Sequence, residues 1–76
     1  MSAYTWEAVP WNERLKIRNK LARRDGYKCR KCGLAKYLTI DHILSIHFGG
    51  PVMDLSNMQL LCVKCHAAKT AREQKG

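Results

Sequence analysis

The sequence predicts a small α+β domain with an N-terminal helix, stapled at two points along the chain, and three observations carry that expectation. The chain has 76 residues, too few to bury a core that usually holds without a staple. It contains two Cys-x-x-Cys pairs, Cys29 with Cys32 and Cys62 with Cys65. Between the pairs, a run of strand formers, a glycine-punctuated loop and a second short apolar run read as a hairpin.

Each element has its own signal. Residues 1–10 read as a loose N-terminal arm, with Tyr4 and Trp6 as aromatics able to pack back on the core. Pro10 suits the first turn of a helix, and Trp11 to about Arg24 has helical composition. On a helical wheel Trp11, Leu15 and Ala22 lie close together, and Ile17 and Leu21 extend that side. Lys16, Lys20 and Arg23 share the opposite side, which gives an amphipathic helix with a basic outer face. Asp25-Gly26 ends it, glycine being the usual residue past a helix end. Tyr37 to Asp41 reads as a strand, 43–57 as a loop around Gly49-Gly50-Pro51, and Met58 to Leu61 as a second strand. Cys65 to about Gln74 reads as a short helix with His66 in its first turn. Residues 11–76 then form one domain.

Charge narrows the partner. The formal net charge is +8, and between Arg14 and Lys36 stand ten basic residues and one acid, Asp25. Such clustering argues for a polyanionic partner. No apolar run approaches a membrane span and the N-terminus lacks a signal-peptide pattern. The expectation is therefore no membrane, a cytoplasmic location, and cysteines that ligate metal rather than form disulfides.

Two Cys-x-x-Cys turns supply the tetrahedral four-sulfur shell that Zn²⁺ takes in structural sites. Cys29, Cys32, Cys62 and Cys65 are the predicted ligands. Such a site is closed to water, and its binding energy is folding energy. The four thiolates around Zn²⁺ carry a net charge of −2, which leaves the chain basic. Cys32 and Cys62 have 29 residues between them, against about 15–20 in a minimal zinc ribbon. The zinc would thus tie together the two ends of an inserted hairpin.

The polar residues of interest lie in that insert or just after it. Asp41 and His42 close the first strand, Asn57 opens the second, and His66 follows the last cysteine. A carboxylate and an imidazole can hold a hard cation such as Mg²⁺ or Mn²⁺, or a softer Zn²⁺ or Ni²⁺. A second, unligated imidazole nearby could serve as general base. Neighbouring strand residues point to opposite faces, so Asp41 and His42 converge only if the chain bends there. His66 adjoins Cys65, but four cysteines already fill a zinc shell. His47 reads as an exposed loop residue. Gly49 and Gly50 read as a tight turn, since no helix follows to make a phosphate loop. Lys69 and Arg72 on the last helix, and Lys16, Lys20 and Arg23 on the first, are candidates to meet phosphates, which would position a nucleic acid without reading its sequence.

These residues resemble the HNH endonuclease family, above all its compact phage and bacterial members with a four-cysteine zinc site. The resemblance rests on Cys29-x-x-Cys32, Asp41-His42-Ile43, Gly49-Gly50, Asp54-Leu55-Ser56-Asn57, Gln59-Leu60-Leu61-Cys62 and Cys65-His66 followed by Lys69-Thr70. Fourteen residues separate His42 from Asn57 and eight separate Asn57 from His66, as in the family. The resemblance implies a ββα-metal (His-Me finger) fold gripping one divalent ion through Asp41 and His66. It implies that His42 takes a proton from the attacking water and that Asn57 clamps the loop to hold His42. The implied reaction is hydrolysis of DNA phosphodiester bonds, double-stranded DNA first, leaving a 5′-phosphate and a 3′-hydroxyl. The implied setting is a bacterial cell or phage-infected host, with partner proteins of a phage or restriction system. The rival reading is a non-catalytic zinc module that binds nucleic acid, and RNA is a third option because attack by water needs no 2′-hydroxyl. Oligomeric state stays open, a monomer included, as does the physiological metal.

Overall fold

The computed structural model describes residues 6–75; Tyr4 lies outside them. A 3-10 turn at Trp6–Ala8 leads into α1 (Trp11–Asp25) and then β1 (Leu38–His42). Two further 3-10 turns, Ile46–Phe48 and Leu55–Asn57, shape the connection to β2 (Met58–Cys62), and α2 (Val63–Lys75) follows directly. The two strands form one antiparallel sheet in which Leu38 pairs with Cys62, Ile40 with Leu60, Asp41 with Gln59 and His42 with Met58.

Register and alternation sort the side chains. Leu38, Ile40, His42, Met58, Leu60 and Cys62 share one face, while Thr39, Asp41, Gln59 and Leu61 share the other. Leu60 and Leu61 are neighbours, yet they are 1% and 2% exposed, so both faces are covered. Ile17 and Leu21 of α1 join Leu38, Met58 and Leu60 in the core. On the other face α2 lies against Asp41 through His66 and Lys69. Each of the fully buried Leu21, Met58, Leu60 and Leu61 side chains contributes about 1.5–3 kcal/mol over an exposed position.

α1 runs close to the predicted span, and the N–H of Gly26, at φ 87°, donates to Ala22 O at its end. Its buried side keeps only part of the expected wheel. Ile17 and Leu21 are buried, but Trp11 is 70% exposed and Leu15 is at the surface. The N-terminal segment explains the shift. Arg14 donates from Nη2 to Trp6 O at 2.7 Å and from Nε to Val9 O at 3.1 Å, and its guanidinium stacks on Trp6. The described part of the arm is therefore packed, not loose: Val9 is buried and Trp6 packs on the core.

Two other boundaries move. Tyr37 stands outside β1 at φ 56°, a turn conformation that L-residues adopt rarely. Its carbonyl accepts from Val63 N, so α2 starts at Val63 and the second cysteine pair straddles a strand-to-helix junction. The long connection is also more ordered than a plain loop. Ser45 and Asp54 cap its two 3-10 turns. Gly50 is obligatory there, because a Cβ would sit 1.9 Å from Leu44 O.

Candidate active site and metal centre

The four cysteines come together. Cys29 and Cys32 lie in the turn before β1, Cys62 ends β2 and Cys65 sits in the first turn of α2. All four sulfurs lie within 4.8 Å of one another, and none is in a disulfide. Cys32 Sγ and Cys62 Sγ are 3.7 Å apart. Zn–S bonds of about 2.3 Å at tetrahedral angles require about 3.8 Å, so the cluster fits a metal ion such as zinc.

The first turn is built for this. Gly33 N donates to Cys29 O at 2.9 Å, Cys32 N points at Cys29 Sγ at 3.4 Å, and Arg30 N ties the turn to Leu60 O. Burial alone would raise the Cys29 thiol. Hydrogen bonds from the backbone of Cys32, Cys62 and Lys31 outweigh it and bring Cys29 down to about 6 from 9.0. Cys65 is pushed the other way, to about 12, by its contact with Cys62 and then by burial. A cation bound among the four sulfurs would hold them all as thiolates.

The second centre sits at the far end of β1. Asp41 and His42 point to opposite faces, as a regular strand requires, yet both line one cleft of about 350 Å³ that wraps the strand end, together with His47, His66, Lys69 and Glu73. Asp41 is 4% exposed. Its Oδ2 accepts from Gln59 Nε2 at 2.9 Å and lies 3.5 Å from Lys69 Nζ. Its Oδ1 lies 3.7 Å from His66 Nε2. One divalent ion at ordinary bond lengths of about 2.0–2.2 Å can touch both atoms, so the donor pair fits a cation.

His42 is held from its own side. Its Nε2 lies 2.8 Å from Val52 O, and Trp6 meets the ring edge-on with centroids 5.1 Å apart. A carbonyl only accepts, so Nε2 carries the proton and a neutral ring keeps its lone pair on Nδ1. Asn57 fixes the loop that carries Val52. Its Oδ1 accepts from Leu44 N at 2.8 Å, and its Nδ2 donates to Leu44 O and Pro51 O, each at 3.1 Å.

Among the described residues, the cysteines are the one set of three or more candidate ligands within mutual reach. The cleft offers Asp41 and His66 as a pair, and His47 stays exposed at its rim. Lys16, Lys20, Arg23 and Arg72 are exposed. Lys69 is not: its Nζ donates to His42 O at 2.8 Å and to Glu73 Oε2 at 2.6 Å, which ties α2 to the end of β1. The sequence pointed to no role at this site for Gln59, Trp6 or the Val52 carbonyl. Their positions depend on register and loop path, and a Gln facing an Asp across two strands was the one signal available.

The fold and the cysteine cluster define a small α+β domain, two antiparallel strands followed by a helix, with a four-sulfur site that fits a metal ion such as zinc. The family model for HNH endonuclease matches residues 29–72. A probable HNH endonuclease of Lactococcus phage SK1 is 32% identical, over 84% of this chain and 76% of the phage protein. The human DNA annealing helicase and endonuclease ZRANB3 is 39% identical over 46 residues, and its mouse counterpart 37%. The match spans 60% of this chain but only 4% of either mammalian protein. No solved structure matches the chain. The chain belongs to the HNH endonuclease family, which makes it a nuclease by family, with nucleic acid as the implied substrate. Among the described residues, no helix is long and apolar enough to cross a membrane.

Proposed function

We propose that the protein is a metal-dependent endonuclease that hydrolyses phosphodiester bonds of double-stranded DNA and leaves a 5′-phosphate and a 3′-hydroxyl. The observation that carries the proposal is the convergence of Asp41 Oδ1 and His66 Nε2, 3.7 Å apart, on the cleft that His42 also lines. DNA is favoured over RNA by the basic charge together with relatives whose names specify endonuclease and, in the mammalian proteins, DNA.

In this reading Asp41 and His66 hold one divalent ion, Mg²⁺, Mn²⁺, Ni²⁺ or Zn²⁺. When bound, it supplies neutralisation of charge on the phosphate and on the leaving oxygen. Gln59 and Lys69 occupy Asp41 Oδ2, which commits Oδ1 to the ion. His42 accepts a proton from the attacking water at Nδ1, because Val52 O holds the proton on Nε2. The imidazolium that forms keeps its Nε2–H bond to that carbonyl. Asn57 acts one step removed, by fixing the loop around Val52. Zinc in the cysteine cluster keeps β1, β2 and α2 in register and takes no part in the reaction.

Supercoiled plasmid incubated with the purified protein and Mg²⁺, Mn²⁺, Ni²⁺ or EDTA tests this directly. Nicking is expected with a divalent ion, and not with EDTA or with His42→Ala. Intact plasmid under every ion, from protein shown to be folded, would return the non-catalytic binding module. A parallel RNA substrate tests the choice of nucleic acid.

A further inference from the structure

The largest cleft described adjoins the site above and shares Lys69 and Glu73 with it, and the mechanism gives no role to its cations Arg30, Lys31 and Arg72. It measures about 490 Å³ and is lined by Arg30, Lys31, Gln59, Lys69, Arg72 and Glu73, among others. We infer that this cleft is a second phosphate-binding subsite, which holds the backbone of the same nucleic acid beside the bond being cut; the inference rests on the nuclease reading.

Three observations support it. The first is charge. Lys69 and Glu73 neutralise each other at 2.6 Å, which leaves Arg30, Lys31 and Arg72 as the unmatched cationic side chains of a cleft that Cys65 of the cluster also lines. Asp25 approaches Arg30 no closer than 3.8 Å and is itself engaged by Arg24 at 2.6 Å. The second is continuity. Lys69 and Glu73 line both this cleft and the catalytic one, and Gln59 of one is the cross-strand partner of Asp41 of the other. A strand seated in the catalytic cleft therefore runs over the Lys69–Glu73 rib into the cations. The third is rigidity. Arg30 and Lys31 stand between two cysteines of the metal cluster, and Arg30 N is bonded to Leu60 O, so their backbone is fixed before DNA arrives. Guanidinium and ammonium groups carried on a fixed turn suit phosphate oxygens.

The competing explanation is that Arg30 and Lys31 only balance the thiolates beside them. A binding titration separates the two. The 76-residue chain carrying His42→Ala, so that nothing is cut, is titrated against a fluorescent DNA duplex over a series of salt concentrations, with bound zinc measured for each variant. Arg30→Ala/Lys31→Ala should lower the slope of log K against log salt by about 2 with zinc content unchanged. Arg72→Ala, on an exposed helix position, should lower it by about 1. Lys28→Ala/Lys36→Ala removes the same charge outside the cleft and should change the slope by less than half as much. Equal slopes for the cleft and control pairs overturn the subsite in favour of a general field. Weaker binding that tracks lost zinc, with Arg72→Ala silent, overturns it in favour of thiolate balance. A wild-type chain that nicks plasmid while every variant binds alike sinks the subsite and spares the nuclease reading; one that neither binds nor nicks sinks both.

Discussion

The cysteine cluster and the Asp41–His66 cleft both gather metal-binding side chains, but they differ in closure. The cluster has four protein donors within 4.8 Å of one another, two of them on residues that are 1% and 2% exposed. The cleft has two donors, and the His66 side chain is 41% exposed. A closed shell leaves an ion nothing to do but hold the chain, whereas an open pair leaves room for phosphate and water. The second difference lies in the supports. Backbone N–H groups support Cys29, while side chains (Gln59 and Lys69) support Asp41. Backbone supports exist only in the folded chain; side-chain supports can be cut one at a time.

The sharpest way to break the comparison is to empty the cluster. Chelation, or Cys29→Ser, should unfold the domain. Structural zinc contributes about 10–16 kcal/mol in small domains, and a whole domain is stable by about 5–15 kcal/mol. Loss of far-UV circular dichroism and amide dispersion on chelation is the expected readout. A domain that keeps its cooperative melt without metal would show that the apolar core suffices.

Next in size is His42→Ala. On its proposed role, the loss is that of a general base, about 10²–10⁴ in rate, with zinc content unchanged. Asp41→Asn and His66→Ala should likewise abolish ion-dependent nicking and leave the zinc in place. Single-turnover nicking beside zinc analysis separates the two centres. A variant that loses both together would mean that they are one structural unit.

How much of this was legible in the sequence follows the same division. The cysteines and their spacing declared the cluster, because a closed shell needs every ligand in the chain. Asp41, His42 and His66 were legible as residue types, and their roles came from resemblance. The strand rule even foresaw that Asp41 and His42 face opposite ways; it gave no sign that a cleft would wrap the strand end and reach both. The supports stayed hidden. Gln59 meets Asp41 only through a register fixed across 18 positions, and Val52 reaches His42 only because Asn57 and Gly50 fold the loop back. Trp11 misled for a related reason. Its helical position looked central, but Arg14 turns toward the preceding segment and α1 packs only through the part of the expected side that carries Ile17 and Leu21.

A milder cut at the open site sharpens the contrast. Gln59→Ala leaves Asp41 with Lys69 as its remaining oriented partner, and loss of such a support lowers metal affinity by about 10–100-fold. The expected result is a higher Mn²⁺ concentration for half-maximal nicking, with near-normal rates once the ion saturates. Unchanged Mn²⁺ dependence would show that Lys69 alone orients the carboxylate.

The smallest effect should come from Lys16→Ala on the outer face of α1. Its ammonium reaches Glu13 Oε2 at 3.4 Å with both side chains largely in water, and exposed pairs of this kind contribute about 0.3–0.5 kcal/mol. Neither centre touches it, so the melting midpoint, the zinc content and the nicking rate at saturating DNA should all stay within error of wild type. What should change is the salt dependence of DNA binding, by at most about one counterion. That outcome would place the basic face of α1 among groups that hold DNA near the cleft without acting on it. A fall in the saturated rate would instead mean that α1 positions the bond being cut, and the division between a folding centre and a reacting centre would then have to include the helix that joins neither.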